Sequence, residues 1–437
     1  MSTENRTSQT DLEVHPAGTE DQIRQAEPGA HPEATGKQAA PESKVPKRDR
    51  RQAGRLPDLD WPLLACVLVL SGFGFVMMSS ASMPIADRIF DAPFHFVVRH
   101  ALALELAAVA GILVFATPLA WWERSGPALF LLGLVLLVLV LIPGIGRTVN
   151  GASRWIPLGP LNLQSSEFMK FFAVIFVSGY LVRRREEVAT SLWGFLKPMI
   201  LMVIASALIM RQPDFGTTVI LLATVLGLLF LGGVRVTHFA VLFTMLILAA
   251  VILVALEPYR LERVTSFMDP FADPFDTGFQ LSQALIAFGS GGWFGVGLGN
   301  GIQKQFFLPE AHTDFLMAVI GEELGLAGTL TVIAAFGFFL WRVLAIGARA
   351  ERAGYWFAAY AAHGFGLGIG LQAIINIGVN LGLLPTKGLT LPFISYGSNS
   401  IIVTCMAVGL LLRIDRDLLR LEAAQQKPVE GMKWARA

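Results

Sequence analysis

Hydrophobic runs of about 20 residues, separated by polar or charged positions, dominate the chain after Asp60. A helix rises about 1.5 Å per residue, so a run of that length crosses a hydrocarbon layer of about 30 Å. The pattern predicts ten such spans, at 61–80, 98–118, 126–144, 166–183, 193–210, 216–234, 238–257, 314–341, 355–381 and 391–412. Only Arg211-Gln212-Pro213-Asp214 interrupts the stretch 193–234. The expected fold is therefore all-α. A polytopic membrane domain over 58–420 follows a disordered tail at 1–57 and precedes a second tail at 421–437.

Two linking segments are more than short turns. Residues 144–166 join spans three and four, and residues 258–313 join spans seven and eight. A loop as long as the second is usually functional. It contains an amphipathic stretch, Phe279–Phe288, and then Gly289, Gly291, Gly292, Gly295, Gly297, Gly299 and Gly301. This predicts a short helix at the membrane interface and a tightly turned Gly-rich return. No strand precedes the glycines, so they are not a dinucleotide fingerprint.

Composition narrows the class. The chain is 54% hydrophobic and 15% charged, against about 25% charged in an ordinary soluble domain. The first 60 residues hold nine Lys/Arg and eleven Asp/Glu, leaving 47 charges for the other 377 residues. A soluble globule could not cover its surface with so few. The tail is rich in Pro, Glu, Gln, Thr and Ser and lacks the apolar core of a secretory signal. Its end is basic, with Lys44, Lys47, Arg48, Arg50, Arg51 and Arg55. Basic loops stay inside, so both termini are expected in the cytoplasm. Threading ten spans that way puts 24 Lys/Arg inside and ten outside or at outer span mouths. The net charge of +1 gives no case for nucleic-acid binding. Cys66 and Cys405 stand alone in apolar runs and read as packing residues.

Charged groups at a membrane span are costly and mark function by default. Here they gather on the outer side in four places. Arg154, Glu167 and Lys170 form the first, after Asn150-Gly151-Ala152-Ser153. Glu167 and Lys170 stand three apart, so on a helix they can pair, either as a structural ion pair or as part of an anion-binding wall. The second is Arg211-Gln212-Pro213-Asp214, where Asp214 is either a helix cap or a ligand contact. The third is Glu310-Ala311-His312-Thr313-Asp314, with Glu322 and Glu323 one to two turns deeper. Thr313 or Asp314 fits an N-cap, and a catalytic carboxylate fits the same place. One of the two deeper glutamates is expected to face a polar cavity, with structural pairing weighed equally against a functional role. The fourth is Leu384-Pro385-Thr386-Lys387-Gly388, then Ser395-Tyr396-Gly397. Its prolines and glycines break the helix where a cavity would tolerate irregular backbone.

The runs Leu308-Pro309-Glu310-Ala311-His312-Thr313-Asp314-Phe315, Gly321-Glu322-Glu323-Leu324-Gly325 and Leu384-Pro385-Thr386-Lys387-Gly388-Leu389-Thr390-Leu391-Pro392 resemble the SEDS family (shape, elongation, division and sporulation). Arg154-Trp155 and Ser166-Glu167 agree. Ala311, Thr386-Lys387-Gly388 and Arg413-Ile414-Asp415 resemble its division branch. One departure is that Gly397 is followed by Ser398-Asn399, where the family usually has paired glycines.

The resemblance implies a peptidoglycan glycosyltransferase acting on lipid II at the division septum of the bacterial inner membrane. It places the catalytic aspartate on Asp314. The expected contacts to the diphosphate and sugars are Arg154, Glu167, Lys170, Arg211, Asp214, Gln283, Glu310, His312, Lys387, Ser395 and Tyr396. A resident metal site is not expected, and a divalent cation such as Mg2+ or Mn2+ is left open. The implied partners are a class B penicillin-binding transpeptidase and other division proteins. A lipid flippase and a non-catalytic scaffold are the rival readings.

Overall fold

Asp60 closes the first polar-to-apolar boundary. Its carboxylate accepts a hydrogen bond from the Leu63 amide at 3.0 Å, and Pro62 sits where a helix lacks nothing by its missing N–H. Helix α1 runs from there over Trp61–Phe90. The structure, a computed structural model, describes residues 59–149, 152–159, 161–256, 266–273, 278–386 and 388–425. The tail expected at 1–57 lies outside them, as do Asn150, Gly151 and Lys387.

After α1 come α2 (His95–Ala116), α3 (Leu119–Leu139), α4 (Ser165–Arg183) and the short α5 (Arg185–Thr190). Then follow α6 (Leu192–Met210), α7 (Phe215–Leu231), α8 (Val236–Ala255) and α9 (Phe279–Gly291). Helices α10 (Leu316–Arg352), α11 (Trp356–Asn380) and α12 (Ser398–Gln425) complete the order. Each predicted hydrophobic run falls on one of these helices. Among the described residues, seven helices are long and apolar enough to cross a membrane, and α7 and α8 contribute shorter apolar stretches. The chain is a multi-pass membrane protein.

The all-α expectation needs one correction. Residues 144–166 contain a small antiparallel sheet of β1 (Arg147–Val149), β2 (Ala152–Leu158) and β3 (Leu161–Gln164), in the order β1-β2-β3. Trp155 lies opposite Gln164, and Gly159 turns the chain between β2 and β3 at φ 63°. β1 has three residues and β2 does not alternate, so the four residues of β3 alone carry a period-two signal.

Helix α4 is the interior of the bundle. Its apolar window is 78% buried, against 28% for α2 and for α3, so it meets protein where they meet lipid. It packs against α3, α7 and α11, while α12 lies along α2. That last contact depends on small residues. A Cβ on Gly409 of α12 would strike the backbone of Gly111 on α2, and one on Gly111 would lie 2.9 Å from the Cys405 carbonyl.

Helix α10 is broken at Gly325, whose φ of 66° and ψ of −159° no helix contains. The predicted amphipathic helix is present as α9. It is not a free surface helix: it packs along α10, burying Leu281, Ala284 and Ala287. The far end of α10 is tied by ion pairs from Arg342 to Asp60 (2.7 Å) and from Arg349 to Asp415.

Replacing Gly409 by leucine should push α2 and α12 apart. The overpacking should cost about 1–3 kcal/mol, read as a lowered unfolding midpoint in detergent, whereas Gly72→Leu, which meets open space, should leave the midpoint unchanged.

Candidate active site

Helix α11 carries three buried amides at four-residue spacing, Gln372, Asn376 and Asn380, so all three share one face. Asn376 Nδ2 donates to the Asp314 carbonyl at 2.9 Å and to the Leu389 carbonyl at 2.6 Å. Asn380 Nδ2 donates to the same Asp314 carbonyl at 2.9 Å, and its Oδ1 accepts from the Ala318 amide at 3.1 Å. Gln372 Nε2 donates to the Thr390 carbonyl at 2.9 Å. Two irregular segments, one ahead of α10 and one ahead of α12, thus hang on one helix face. The Tyr396 amide joins them directly by donating to the His312 carbonyl at 2.9 Å.

Asp314 is half-buried in the first of these segments. It does not cap α10. That helix starts at Leu316, behind Phe315, without a side-chain cap. Thr313 does not cap it either: its hydroxyl donates to the Glu310 carboxylate at 2.7 Å. The cap reading of this pair is therefore set aside. The Asp314 carboxylate faces the second segment. Its Oδ2 lies 3.3 Å from the place a Cβ would occupy on Gly388, so any side chain there would crowd the acid. Lys387, the residue before Gly388, lies outside the described residues.

The first turns of α4 supply the cation. Lys170 pairs with Glu167 at 3.0 Å, at the predicted i, i+3 spacing, and donates to Gln372 Oε1 at 2.7 Å. Asp214 is a cap: its Oδ1 accepts from the Thr217 amide at 3.2 Å at the start of α7. It also accepts from the Ser166 hydroxyl at 3.0 Å. Arg154, on β2, donates to the carbonyls of Gln212 (2.9 Å) and Pro213 (2.6 Å) and so clamps the turn that presents Asp214. Arg211 is exposed at the end of α6, one residue before that clamp.

Glu167, Lys170 and Gln372, with Ser166 and the Asp214 cap beside them, thus form a polar belt on α4, α7 and α11. Arg154 holds the turn next to it, and Asp314 is tied to the same α11 face through its backbone carbonyl. His312 is buried against Phe96 and Tyr396, with ring centroids 4.8 and 5.7 Å away. Ser395 is buried, its hydroxyl accepting from the Leu391 amide at 3.0 Å. Glu310 is exposed on a turn with φ 54°. Among the described residues, Gln283, half-buried on α9, makes no hydrogen bond to these groups.

For Glu322 and Glu323 the structural-pairing reading holds. Neither faces a polar cavity. Both are fully buried, Glu322 accepting from the amides of Ile302 and Gln303 and Glu323 pairing with Lys304 and accepting from Gly299 and Ser80. The amides of α11 were missed in sequence. Their signal was a polar residue at every fourth position of an otherwise apolar span.

Below Lys170 and Gln372 a narrow cleft lies between α4, α7, α11 and α12. Phe171, Leu221, Phe365 and Val403 make it apolar away from its charged head. Among the described residues no group of three His, Cys, Asp or Glu is arranged to hold a metal ion.

Comparison with known proteins places this arrangement. Residues 60–419 match the family model FTSW_RODA_SPOVE, described as cell cycle protein. The chain belongs to that family. It is 59% identical over 400 residues to a probable peptidoglycan glycosyltransferase FtsW of Allochromatium vinosum, covering 91% of this chain and 99% of the relative. It is 55% identical to the corresponding protein of Nitrosococcus halophilus, covering 84% and 95%. Among solved structures, one from a study of the structural coordination of polymerization and crosslinking by a peptidoglycan synthase complex matches with a TM-score of 0.67. The identity there is 28%, over 82% of this chain and 98% of that one. The rod shape determining protein RodA of Thermus thermophilus matches at 0.61 and 28%, over 82% and 97%.

Asn380→Leu should remove one of the two amide bonds to the Asp314 carbonyl and the bond from the Ala318 amide, costing about 1–3 kcal/mol for the two, since each backbone group keeps another partner. It should also loosen the turn holding Asp314, so activity should fall further than stability does, as a turnover assay below the unfolding temperature would show. A pH effect is expected at His312. Burial holds its imidazole below the ordinary range, opposed by nearby Glu310. The unfolded chain then takes up the proton more readily, so this contribution is present above pH about 6.5 and is lost as the pH falls. His312→Phe should flatten the acid limb of the unfolding midpoint against pH.

Proposed function

We propose that the chain is a peptidoglycan glycosyltransferase that joins lipid II disaccharide units into glycan strands, with Asp314 as its general base. The observation that carries the assignment is the placement of the Asp314 carboxylate against Gly388, on a scaffold that also holds Lys170. A sugar on a lipid diphosphate needs an acid–base group, cations and an apolar surface, and in this reading Asp314, Lys170 and the cleft below Lys170 supply them.

In the reaction, the 4-hydroxyl of an acceptor sugar attacks the anomeric carbon of a lipid-linked donor. Asp314 takes the hydroxyl proton, from about 2.6–3.2 Å or through one water. The new glycosidic C–O bond forms as the bond to the diphosphate breaks, and undecaprenyl diphosphate leaves. Lys170, fixed by Glu167 and Gln372, is oriented before the charge develops on the diphosphate. Arg154, Arg211 and Lys387 complete the cationic clamp in this reading. Glu167 and Asp214 act by holding Lys170 and the α7 terminus, and Ser395, Tyr396 and His312 by fixing the loop beside the acid. Glu310 and Gln283 are left for the sugars. A divalent cation arriving with the diphosphate would be held by Asp314 and would neutralise charge.

In this reading ten membrane crossings with both termini in the cytoplasm would put the site on the periplasmic face, and the protein would act in the inner membrane at the division septum. A class B penicillin-binding transpeptidase is the expected partner, supported by the similarity to a structure from a peptidoglycan synthase complex, with other division proteins around it. The flippase reading gains one feature, the discontinuous helix α10, because transporters use such breaks. Here the charges at the break are paired with each other and with amides, which leaves no ion-lined path and favours the enzyme.

Asp314→Asn should abolish polymer formation from purified lipid II while the variant inserts and unfolds like the parent. Glycan chains from Asp314→Asn at near-normal rate would remove Asp314 from the base role. Lipid translocation without chains in a two-compartment assay of the unaltered protein would establish the flippase, and neither product the scaffold.

A further inference from the structure

Residues 292–307 connect α9 with the turn ahead of α10 and present their apolar side chains outward. Trp293 is 72% exposed and Phe294 83%, and Val296, Leu298, Ile302, Phe306 and Phe307 are exposed with them. The backbone of the same segment turns the other way. The amides of Val296 and Gly297 donate to the carbonyls of Glu322 and Glu323, each at 3.0 Å. Those of Gly299, Ile302 and Gln303 donate to the two glutamate carboxylates at 3.0, 2.8 and 3.1 Å. In return, the Leu326 and Ala327 amides, released by the break at Gly325, donate to the carbonyls of Gly292 and Trp293 at 2.9 and 3.1 Å. Lys304, the one charged residue of the segment, is buried against Glu323 and Ser80 of α1.

Depth follows from the neighbouring helices. Glu323 meets α1 at Ser80, eight residues before the exposed Arg88, or about 12 Å along the axis. Trp293 is bonded at Ala327, four residues further along α10 and past the break at Gly325. From Ala327 to Arg342, which pairs with Asp60 at the other end of α1, is fifteen residues, or about 22 Å. Trp293 therefore sits well inside both charged ends of helices that cross the membrane.

We infer that residues 292–307 form a re-entrant element that enters the hydrocarbon layer and returns, with Trp293, Phe294, Val296 and Leu298 against lipid acyl chains. Irregular backbone at that depth has no water to bond, so protein groups must match it. Glu322 and Glu323 do so for five amides here. A loop in water would gain nothing by burying its single cation and turning those amides inward. The outward strip is also continuous with the exposed Leu326, Leu330 and Ile333 of α10. The inference does not depend on the chemistry assigned to Asp314.

The test uses the full chain in phosphatidylcholine vesicles whose acyl chains carry bromine at mid-chain. The emission of Trp293 is taken as the difference between the parent and Trp293→Phe. It should be lost in the brominated vesicles and unaffected by aqueous iodide. Quenching by iodide alone would show a loop in water, and quenching by neither would show a protein-covered contact; each overturns the inference. A second measurement reads Leu298→Cys in a chain with Cys66→Ala and Cys405→Ala. A membrane-impermeant maleimide should label it in detergent and fail to label it in vesicles. Equal labelling in both would also overturn the proposal.

Discussion

Two side-chain amides on one helix donate to a single carbonyl, that of Asp314, and most of the site follows from this. Inside a membrane domain a carbonyl that leaves the helix has no water to accept from. Asn376 and Asn380 provide the replacement, at a spacing that one face of α11 can present. Because the same Asn376 also holds Leu389, the acid and the Gly388 turn are positioned by one rigid element.

The same constraint is met a second time at Gly325. There the partners are carboxylates rather than amides, and the backbone they match belongs to the Gly-rich segment. Lys304 balances the charge of Glu323, and the Ile302 and Gln303 amides meet the carboxylate of Glu322. A half-satisfied arrangement of this kind would be worse than an apolar one, because an unpaired buried charge is strongly destabilising. The two sites differ in what remains over. At Gly325 the polar groups close on each other, whereas at α11 they open toward Lys170 and an apolar cleft. That difference is why the chemistry is assigned to one and not to the other.

Position within the bundle explains the distribution of polar residues. Helices α4, α7 and α11 lie inside, so their polar groups meet one another, while α2, α3 and α8 turn apolar residues outward. Arg154 reaches this belt from the small sheet rather than from a helix. The sheet therefore does more than link α3 to α4: it holds the turn between α6 and α7 at two carbonyls.

The amino-acid sequence by itself determined the membrane class, the locations of the hydrophobic helices, the amphipathic α9 and the pairing of Glu167 with Lys170. Each depends on near neighbours or on a period that a single helix imposes. The family motifs around Asp314 and Lys387 were legible too, since they are local strings. Only the tertiary structure decided that Asp214 caps and Asp314 does not, because a cap is set by where a helix starts, within a residue. It alone showed Glu322 and Glu323 closing a loop twenty residues earlier, the three short strands, and Gln372, Asn376 and Asn380 holding segments up to 66 residues away. Those contacts bring distant parts of the chain to one depth, and a hydrophobic pattern read along the chain carries no record of which segments will meet.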